Sequence, residues 1–327
     1  MEQALVVLQY VMTVQGSVGV IGNLLVCLTI AKTKSMHNVT NGLLFNLASA
    51  DACVSLVAFL ELYIGLHFRS KIGIFGYCTP SFIFNFNSHF MYGYFVRSLY
   101  TCSILSLTLA TFERYIGIIH PFQHSSFLTR RKIIILLCFT WVLPLLCELP
   151  STITYIILYA SDNCIIPTND RYPGLLVQQV VKTIATFVLP CIVLAFMYIK
   201  IMINLKSGAR HLEEQGVQGP PQELHRAHKK VTQALGFVVA AFFILILPGQ
   251  ITKFLIIYTN YFGDNYDLSE CLDKITSIFI SCNSAINPVV YGLKYTQLRS
   301  ACIAVLCPCS TRCNRSNQVQ QHVPGRI

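Results

Sequence analysis

The chain has 327 residues, of which 54% are hydrophobic and only 12% are charged. Its mean hydropathy is +0.57. Soluble globular proteins carry about 25% charged residues, so this chain has too few charges to cover a water-facing surface. The composition therefore excludes an ordinary soluble domain and favours lipid as the solvent for much of the chain.

Long apolar stretches recur along the chain and predict seven membrane-spanning helices. A span needs about 20 residues to cross ~30 Å of hydrocarbon, and each stretch is long enough. Several are longer, which indicates tilt or extension beyond the bilayer. The predicted spans cover residues 5–31, 40–66, 84–117, 132–158, 174–204, 229–257 and 268–292.

Two segments outside the spans have a distinctive composition. Residues 205–228 carry glycines and prolines among charges, which predicts a flexible or disordered loop. Residues 294–306 alternate basic and apolar side chains, which predicts a short amphipathic helix on the inner membrane surface. The predicted architecture is an all-α membrane domain over 1–306, followed by a cytoplasmic tail over 307–327.

The formal net charge of +10 is distributed unevenly about the predicted membrane. Lysines and arginines concentrate in the first, third and fifth loops and in the tail, whereas the opposite side is rich in acids such as Asp162, Asp264 and Asp267. Cytoplasmic loops carry an excess of Lys and Arg. The tail is therefore predicted to be cytoplasmic and the N-terminus extracellular, and the charge does not indicate a nucleic-acid partner.

The cysteines suggest two kinds of modification. Three of the 14 lie in predicted extracellular loops, where disulfides persist: Cys78, Cys164 and Cys271. At most one pair forms among three, and Cys78–Cys164 is the favoured pair. Candidates for palmitoylation follow the last span: Cys302, Cys307 and Cys309. The alternative for these is an unmodified thiol in a reducing cytosol.

Asp51 lies near the middle of the second span, where a charge is costly and usually functional. Other spans offer polar partners: Asn23, Ser103, Asn283, Ser284 and Asn287. A carboxylate surrounded by hydroxyl and amide oxygens suits a hard monovalent cation, or a proton when the site is dry. The alternative is a structural polar network that locks the packing of the helices.

Two further motifs lie at the cytoplasmic ends of spans. The third span ends in Glu113-Arg114-Tyr115, and an acid beside an arginine at a membrane boundary can also be a plain snorkelling pair. The seventh span ends in Asn287-Pro288-Val289-Val290-Tyr291, where proline removes a backbone donor that nearby amides can replace. Each motif is weak by itself.

Taken together and in order, these residues resemble the rhodopsin-like (class A) family of G-protein-coupled receptors. The resemblance extends from Gly22 to the helix after Tyr291. Its landmarks are Asn23, Leu47-Ala48 with Asp51, Glu113-Arg114-Tyr115, Trp141, Pro190 with Tyr198, Pro248, and Asn287-Pro288 with Tyr291. It implies a plasma-membrane receptor, not an enzyme, with a heterotrimeric G protein, arrestin and receptor kinases as partners and membrane lipid as its environment.

The resemblance also implies roles for single residues. Asp51 and its five polar neighbours match the family's sodium pocket, so a bound sodium ion is expected and no other cofactor. Arg114 matches the arginine that engages the G protein once the sixth helix swings outward. The remaining switch residues are a core triad and two tyrosines that close behind the motion: Ile104, Pro190 and Phe242, then Tyr198 and Tyr291.

Three positions depart from the family pattern. Ile246 replaces the tryptophan that normally precedes the sixth-span proline by two residues, so activation or basal activity is expected to be unusual. His89 stands where the third span normally begins with a bridging cysteine, so that bridge is displaced or missing. His228 stands at the position of the acidic lock partner on the sixth span, which predicts a weaker inactive-state lock.

The residues expected around the ligand cavity point away from amines and retinal. Val96 replaces the aspartate that holds monoamines, and Ser281 replaces the retinal-bearing lysine. The predicted pocket residues are Glu61, Val96, Arg97, Tyr100, Lys182, Lys253 and Ser277. Its three cations favour a carboxylate, a phosphate or an acidic peptide. Alternatively, Glu61 and Glu148 neutralise Arg97 and Lys182 within a structural ion-pair network.

The sequence therefore predicts a receptor for a small peptide or small anionic molecule, nearest to peptide receptors. The alternatives are a non-signalling or constitutively active orphan receptor, and a seven-helix transporter. A transporter would favour internal repeats or charged rings, and the sequence has none that stands out. A membrane hydrolase is disfavoured because the sequence has no Gly-x-Ser-x-Gly elbow and no His-Glu-x-x-His pair.

Overall fold

A computed structural model describes residues 2–69, 80–161, 173–216, 219–258 and 266–307. Within these ranges the chain is helical, with no strand. The α-helices are α1 (Glu2–Lys32), α2 (Val39–Arg69), α3 (Pro80–Ile119), α4 (His124–Phe127), α5 (Arg130–Ser161), α6 (Pro173–Thr183), α7 (Leu189–Glu214), α8 (Pro220–Tyr258), α9 (Tyr266–Lys294) and α10 (Thr296–Leu306). A π-helical turn, Ile184–Val188, joins α6 to α7.

Six stretches of the described residues are long and apolar enough to cross a membrane: Tyr10–Lys32, Val39–Leu60, Gly93–Ile119, Arg130–Leu158, Gly174–His211 and Leu235–Thr252. The helix α9 is the seventh long helix and packs against α1, α2 and α8. The architecture is therefore the all-α bundle of seven long helices that the sequence predicts. The placement of α10 on the inner membrane surface stays a prediction.

The bundle has apolar side chains outside and polar side chains inside, which is the reverse of a soluble protein. Ile244 and Leu293 are 70% and 67% exposed. By contrast, Asn23, Asp51 and Asn287 are buried at the centre. Apolar side chains on the outside of a helical bundle need lipid, and polar groups in such a bundle face its interior.

A series of two side-chain hydrogen bonds connects three spans. The indole nitrogen of Trp141 on α5 donates to Asn46 Oδ1 at 2.8 Å. The amide nitrogen of Asn46, on α2, in turn donates to Ser106 Oγ on α3 at 2.8 Å. Hydrogen bonds between spans fix helix rotation in lipid, so this series orients α2 and α3 toward the site described below.

The fifth span contains the π-helical turn immediately before Pro190. Proline has no N–H, and its ring also clashes with the carbonyl four residues earlier. Widening the helix by one residue over Ile184–Val188 accommodates both effects without ending the span. Pro190 itself is buried against the bundle interior.

The prediction of a flexible or disordered loop over 205–228 is wrong for most of its length. The helix α7 continues to Glu214, and α8 begins at Pro220. Proline is favoured in the first turn of a helix, where its missing N–H is not needed. Gly216 and Gly219 have φ angles of +62° and +93°, which few other residues adopt, so the chain leaves one helix and enters the next over a short distance.

Candidate functional site

The side chain of Asp51 is fully buried and accepts hydrogen bonds from two other spans. Ser103 Oγ on α3 donates to Asp51 Oδ1 at 2.6 Å. Ser284 Oγ on α9 donates to the same oxygen at 2.9 Å, and Asn287 Nδ2 donates to Oδ2 at 2.6 Å. These three donors satisfy both carboxyl oxygen atoms but are neutral, so they bring no positive charge to the site.

Asn23 joins this network through the backbone. Its Nδ2 donates to the Gly19 carbonyl at 2.9 Å and to the Ser284 carbonyl at 3.0 Å. Asn23 therefore connects α1 to the turn of α9 that carries Ser284. Of the six predicted pocket residues, the structure thus places five in one hydrogen-bonded network, and it places Asn283 buried in the turn of α9 beside Ser284.

Several buried oxygen atoms in this region have no hydrogen-bond partner among the described atoms. They are Asn23 Oδ1, Asn283 Oδ1, Asn287 Oδ1 and the Tyr291 hydroxyl. Unsatisfied buried polar atoms are rare and need an explanation such as a bound ion or water. One carboxylate with neutral oxygen atoms is a donor set suited to a hard cation, so the residues fit a sodium ion.

A second cluster surrounds the buried Glu113 at the C-terminal end of α3, the end predicted to be cytoplasmic. Arg114 Nε donates to Glu113 Oε2 at 2.6 Å, and its Nη2 donates to Oε1 at 2.8 Å. Thr40 on α2 donates to Glu113 Oε1 at 3.1 Å and is also hydrogen bonded to Arg114 Nη2. The imidazole of His124, on α4, lies 3.1 Å from Glu113 Oε1. We call these four residues the inner cluster.

Sequence reasoning missed two members of the inner cluster, Thr40 and His124. Thr40 begins the second span and His124 follows the third, so both were foreseeable only as polar residues near the inner surface. Tyr115, the third residue of the motif, instead packs its ring edge-on against His120, with centroids 5.9 Å apart. The motif therefore divides between the inner cluster and the loop after α3.

A cavity that is partly open to the outside lies beside the inner cluster. Its lining includes Leu44, Leu235, Tyr291 and Tyr295 together with Glu113 and Arg114. Tyr198, predicted to close behind the motion, lies against Gly236 on α8, where an added Cβ would overlap its hydroxyl. Tyr198 thus approaches the sixth span, and Tyr291 lines the cavity.

The predicted core triad lies in the centre of the apolar core. Ile104 and Phe242 are 3% and 1% exposed, and Pro190 is buried. The ring of Phe242 packs against Phe187 and Phe243, with centroids 6.3 and 5.4 Å apart. Ile246 is fully buried one turn away, so an aliphatic side chain occupies the core where the family usually has an indole.

The outer halves of three spans share a compact ion network. Glu148 Oε2 on α5 accepts from Arg97 Nε at 2.9 Å and from Lys182 Nζ at 3.2 Å. Arg97 Nη2 also donates to Thr152 Oγ1 at 3.4 Å. We call Arg97, Glu148 and Lys182 the outer cluster. Its geometry favours the internal-network alternative for Lys182, whose side chain is 11% exposed, while that of Arg97 is 44% exposed.

The other predicted pocket residues divide into two groups. Val96, Tyr100 and Ser277 are partly buried in the outer halves of α3 and α9. The side chains of Glu61 and Lys253 lie outside the described residues. The predicted disulfide partners Cys78 and Cys164, and the predicted lipidation site Cys309, also lie outside them.

The two described lipidation candidates have different surroundings. Cys302 packs into the core, and its sulfur lies 3.2 Å from Thr29 Oγ1 on α1. Cys307 directly follows α10 and is exposed. A thiol must be accessible to be acylated, so the geometry favours Cys307 over Cys302.

Comparison of the chain with known proteins identifies its family. The family model for the 7 transmembrane receptor (rhodopsin family) matches residues 22–291. Neuromedin-U receptor 2 of Mus musculus is 28% identical, over 93% of this chain and 76% of its own length. Neuromedin-U receptor 1 of Homo sapiens is 29% identical, over 89% and 70%. The neuromedin U receptor homolog nmur-2 of Caenorhabditis elegans is 27% identical, over 86% and 75%.

The matched range spans the positions of every landmark from Asn23 to Tyr291, and so contains the polar network around Asp51 and the inner cluster. The chain belongs to the rhodopsin family of seven-transmembrane receptors.

Proposed function

We propose that this receptor binds a small extracellular peptide and passes the signal to a heterotrimeric G protein at its cytoplasmic face. The observation that carries the proposal is the inner cluster, in which Arg114 is held by Glu113 and Thr40 beside an open cavity. An arginine held by exchangeable polar contacts can be released to another partner when the surrounding helices move.

The peptide class of the ligand is supported by the relatives named above, which are receptors for neuromedin-U. The outer cluster supports an acidic group on that ligand. The Arg97 guanidinium shares the Glu148 carboxylate with Lys182, and its side chain is the more exposed of the two cations, so it can also pair with an incoming anion. A small anionic molecule would satisfy the same charge and is the alternative ligand.

The second intracellular loop offers a contact for the G protein. Phe122 lies just after His120-Pro121 and is 99% exposed, in a segment outside the predicted spans. A large apolar side chain so exposed in water typically marks an interaction site when it is part of a patch. Phe127, the last residue of α4, is 47% exposed and extends this apolar surface.

The proposal includes further partners and a location. The receptor is inserted in the plasma membrane with its N-terminus outside, as the distribution of lysine and arginine favours. Arrestin and receptor kinases act on the cytoplasmic side, where the tail offers Ser310, Thr311 and Ser316 as phosphate acceptors. A sodium ion binds beside Asp51, where the unpartnered oxygen atoms supply its remaining ligands.

The replacement of tryptophan by Ile246 supports a second candidate, a receptor with unusual basal activity. A buried isoleucine is smaller than an indole and cannot make the same rotation within the core. The second candidate differs from the first only in its ligand-free signal, so one experiment addresses both.

The experiment is to express the chain with a panel of G-protein activation sensors beside Arg114→Ala, at matched surface levels. Arg299→Ala, which removes an exposed arginine from α10, is the control for loss of one cytoplasmic charge. A ligand-free or peptide-induced signal that disappears only in Arg114→Ala is expected. No signal from any sensor, even with peptide and anion libraries, would overturn the proposal in favour of a non-signalling role.

A further inference from the structure

A lysine at the end of the seventh span contacts an aromatic ring on the sixth. The Lys294 ammonium lies 4.6 Å from the centroid of the Phe237 ring. This separation is within the range of a cation–π interaction. Lys294 is the last residue of α9, and Phe237 lies in the cytoplasmic half of α8, so the contact joins two helices at their inner ends.

The position of Lys294 is favourable even without the ring. A cation in the last turn of a helix interacts with the carbonyl end of the helix dipole, which keeps the ammonium near the end of α9. Phe237 is 51% exposed, so the contact lies at the rim of the bundle. The contact strength is that of an exposed pair, and it can break without disturbing the core.

Among the described residues, the hydrogen bonds within the inner cluster involve α2, α3 and α4, and none of them goes to α8. The hydrogen bonds found for Arg114 in the described part of the chain go to Glu113 on its own helix and to Thr40 on α2. The family's acidic lock position on α8 is His228, whose side chain lies outside the described residues. Next to Phe237, Gly236 accommodates the hydroxyl of Tyr198. Around Phe237, α8 is thus contacted by Tyr198 of α7 and by Lys294 of α9.

We propose that Lys294 and Phe237 form a clasp that holds the sixth span closed in the inactive receptor. The clasp rests on the proposed function, because it opens when α8 moves outward to admit a G protein. An outward movement of α8 separates the ring from the ammonium. Both side chains are exposed at the bundle surface, so the ring can then face lipid and the ammonium can face water at the membrane boundary. In the family pattern, an ion pair between the third-span arginine and an acid on the sixth span holds the inactive state. The clasp takes over part of that role in this receptor.

The signalling test compares variants at equal surface expression. Lys294→Gln and Phe237→Leu are each expected to raise ligand-free G-protein activation about two- to five-fold, which is the population shift expected from losing one exposed cation–π contact. The double variant is expected to match the single variants, because both remove the same contact. Lys294→Arg keeps the cation and is expected to behave as the wild type.

The chain offers a matched control. The Lys200 ammonium lies 5.8 Å from the Phe196 ring, and both residues are on α7, so this contact joins no two helices. Lys200→Gln is expected to leave ligand-free activation unchanged. An equal rise in Lys200→Gln, or additive effects of Lys294→Gln and Phe237→Leu, would overturn the clasp.

A distance measurement tests the clasp without a G protein. Spin-labelled non-natural amino acids at Arg226 on α8 and Gly42 on α2, both exposed, report the separation of these helices in purified full-length receptor. The expected result is a larger population at long distance in Lys294→Gln and Phe237→Leu than in wild type. Distributions identical to wild type would overturn the clasp even in a receptor that signals, and a shift would support it even in one that does not.

Discussion

Asn287 Nδ2 donates a hydrogen bond to Asp51 Oδ2 at 2.6 Å, although 236 residues separate the two in sequence. The bond joins the seventh span to the second at the level where Ser103 joins the third. A single buried carboxylate therefore connects the second, third and seventh spans. Any change in the charge at Asp51 is expected to act on all three.

The first prediction concerns sodium. In purified wild-type receptor, replacing choline by sodium at constant ionic strength is expected to raise the thermal midpoint by about 3 °C, as a ligand bound near ten times its Kd would. Asp51→Asn is expected to abolish the shift, because the amide has no charge to offset the cost of dehydrating the ion. The measurement is a thermal melt of the receptor in each salt.

The Asp51→Asn variant is expected to fold, because Asn287 has an unpartnered Oδ1 and can turn its own amide to accept a hydrogen bond from the amide that the substitution introduces. Potassium serves as the ion control. A sodium-specific shift that persists in Asp51→Asn would show that the ion binds elsewhere.

The outer cluster gives a second prediction. Glu148→Gln leaves two cations facing a neutral amide in a site where the carboxylate was 4% exposed. We expect a loss of about 3 kcal/mol in stability, at the lower end for a broken buried pair because Arg97 is partly hydrated. Thermal unfolding and surface expression measure the loss.

A double variant separates charge from packing at this position. Adding Lys182→Met to Glu148→Gln is expected to recover part of the lost stability, because it removes one of the two like charges. The charge explanation predicts that the double variant is more stable than Glu148→Gln. It would be contradicted if Lys182→Met lowered stability in the Glu148→Gln background as much as it does in the wild type.

Gly236 gives a third prediction. In Gly236→Ala the new methyl group overlaps the Tyr198 hydroxyl, so either the tyrosine or α8 must move. We expect a loss of about 1–3 kcal/mol in stability from overpacking, together with higher ligand-free activation. Gly42→Ala is the control, since an added Cβ there meets no atom within 4 Å. If both variants lost the same stability and showed the same ligand-free activation, overlap with Tyr198 would not explain the effect of Gly236→Ala.

The fourth prediction distinguishes two cysteines. Because Cys302 packs against Thr29 and Cys307 is exposed, Cys307→Ser is expected to reduce metabolic labelling of the receptor with a palmitate analogue, whereas Cys302→Ser leaves it unchanged. A Cys309→Ser variant measures any labelling in the tail. Loss of label only in Cys302→Ser would show that α10 detaches from α1 during acylation.

Much of the fold follows from the sequence because the membrane imposes it. Seven apolar stretches of sufficient length predict seven helices, and a carboxylate within one of them, Asp51, predicts a polar site facing the interior. The motif landmarks then place Ser103, Ser284 and Asn287 on neighbouring spans. The sequence did not predict how far α7 and α8 extend. The glycines and prolines between 205 and 228 indicated a loop, whereas in the structure most of them lie near the ends of these two helices.

The sequence by itself determined the class of fold, the topology signal in the basic loops and the identity of the buried polar residues. Only the tertiary structure decided which of them touch: Thr40 and His124 with Glu113, Arg97 and Lys182 with Glu148, and Lys294 with Phe237. The physical reason is that a span in lipid is apolar on almost every side. Its periodicity therefore leaves helix rotation and depth open, and these two quantities set every contact between distant helices.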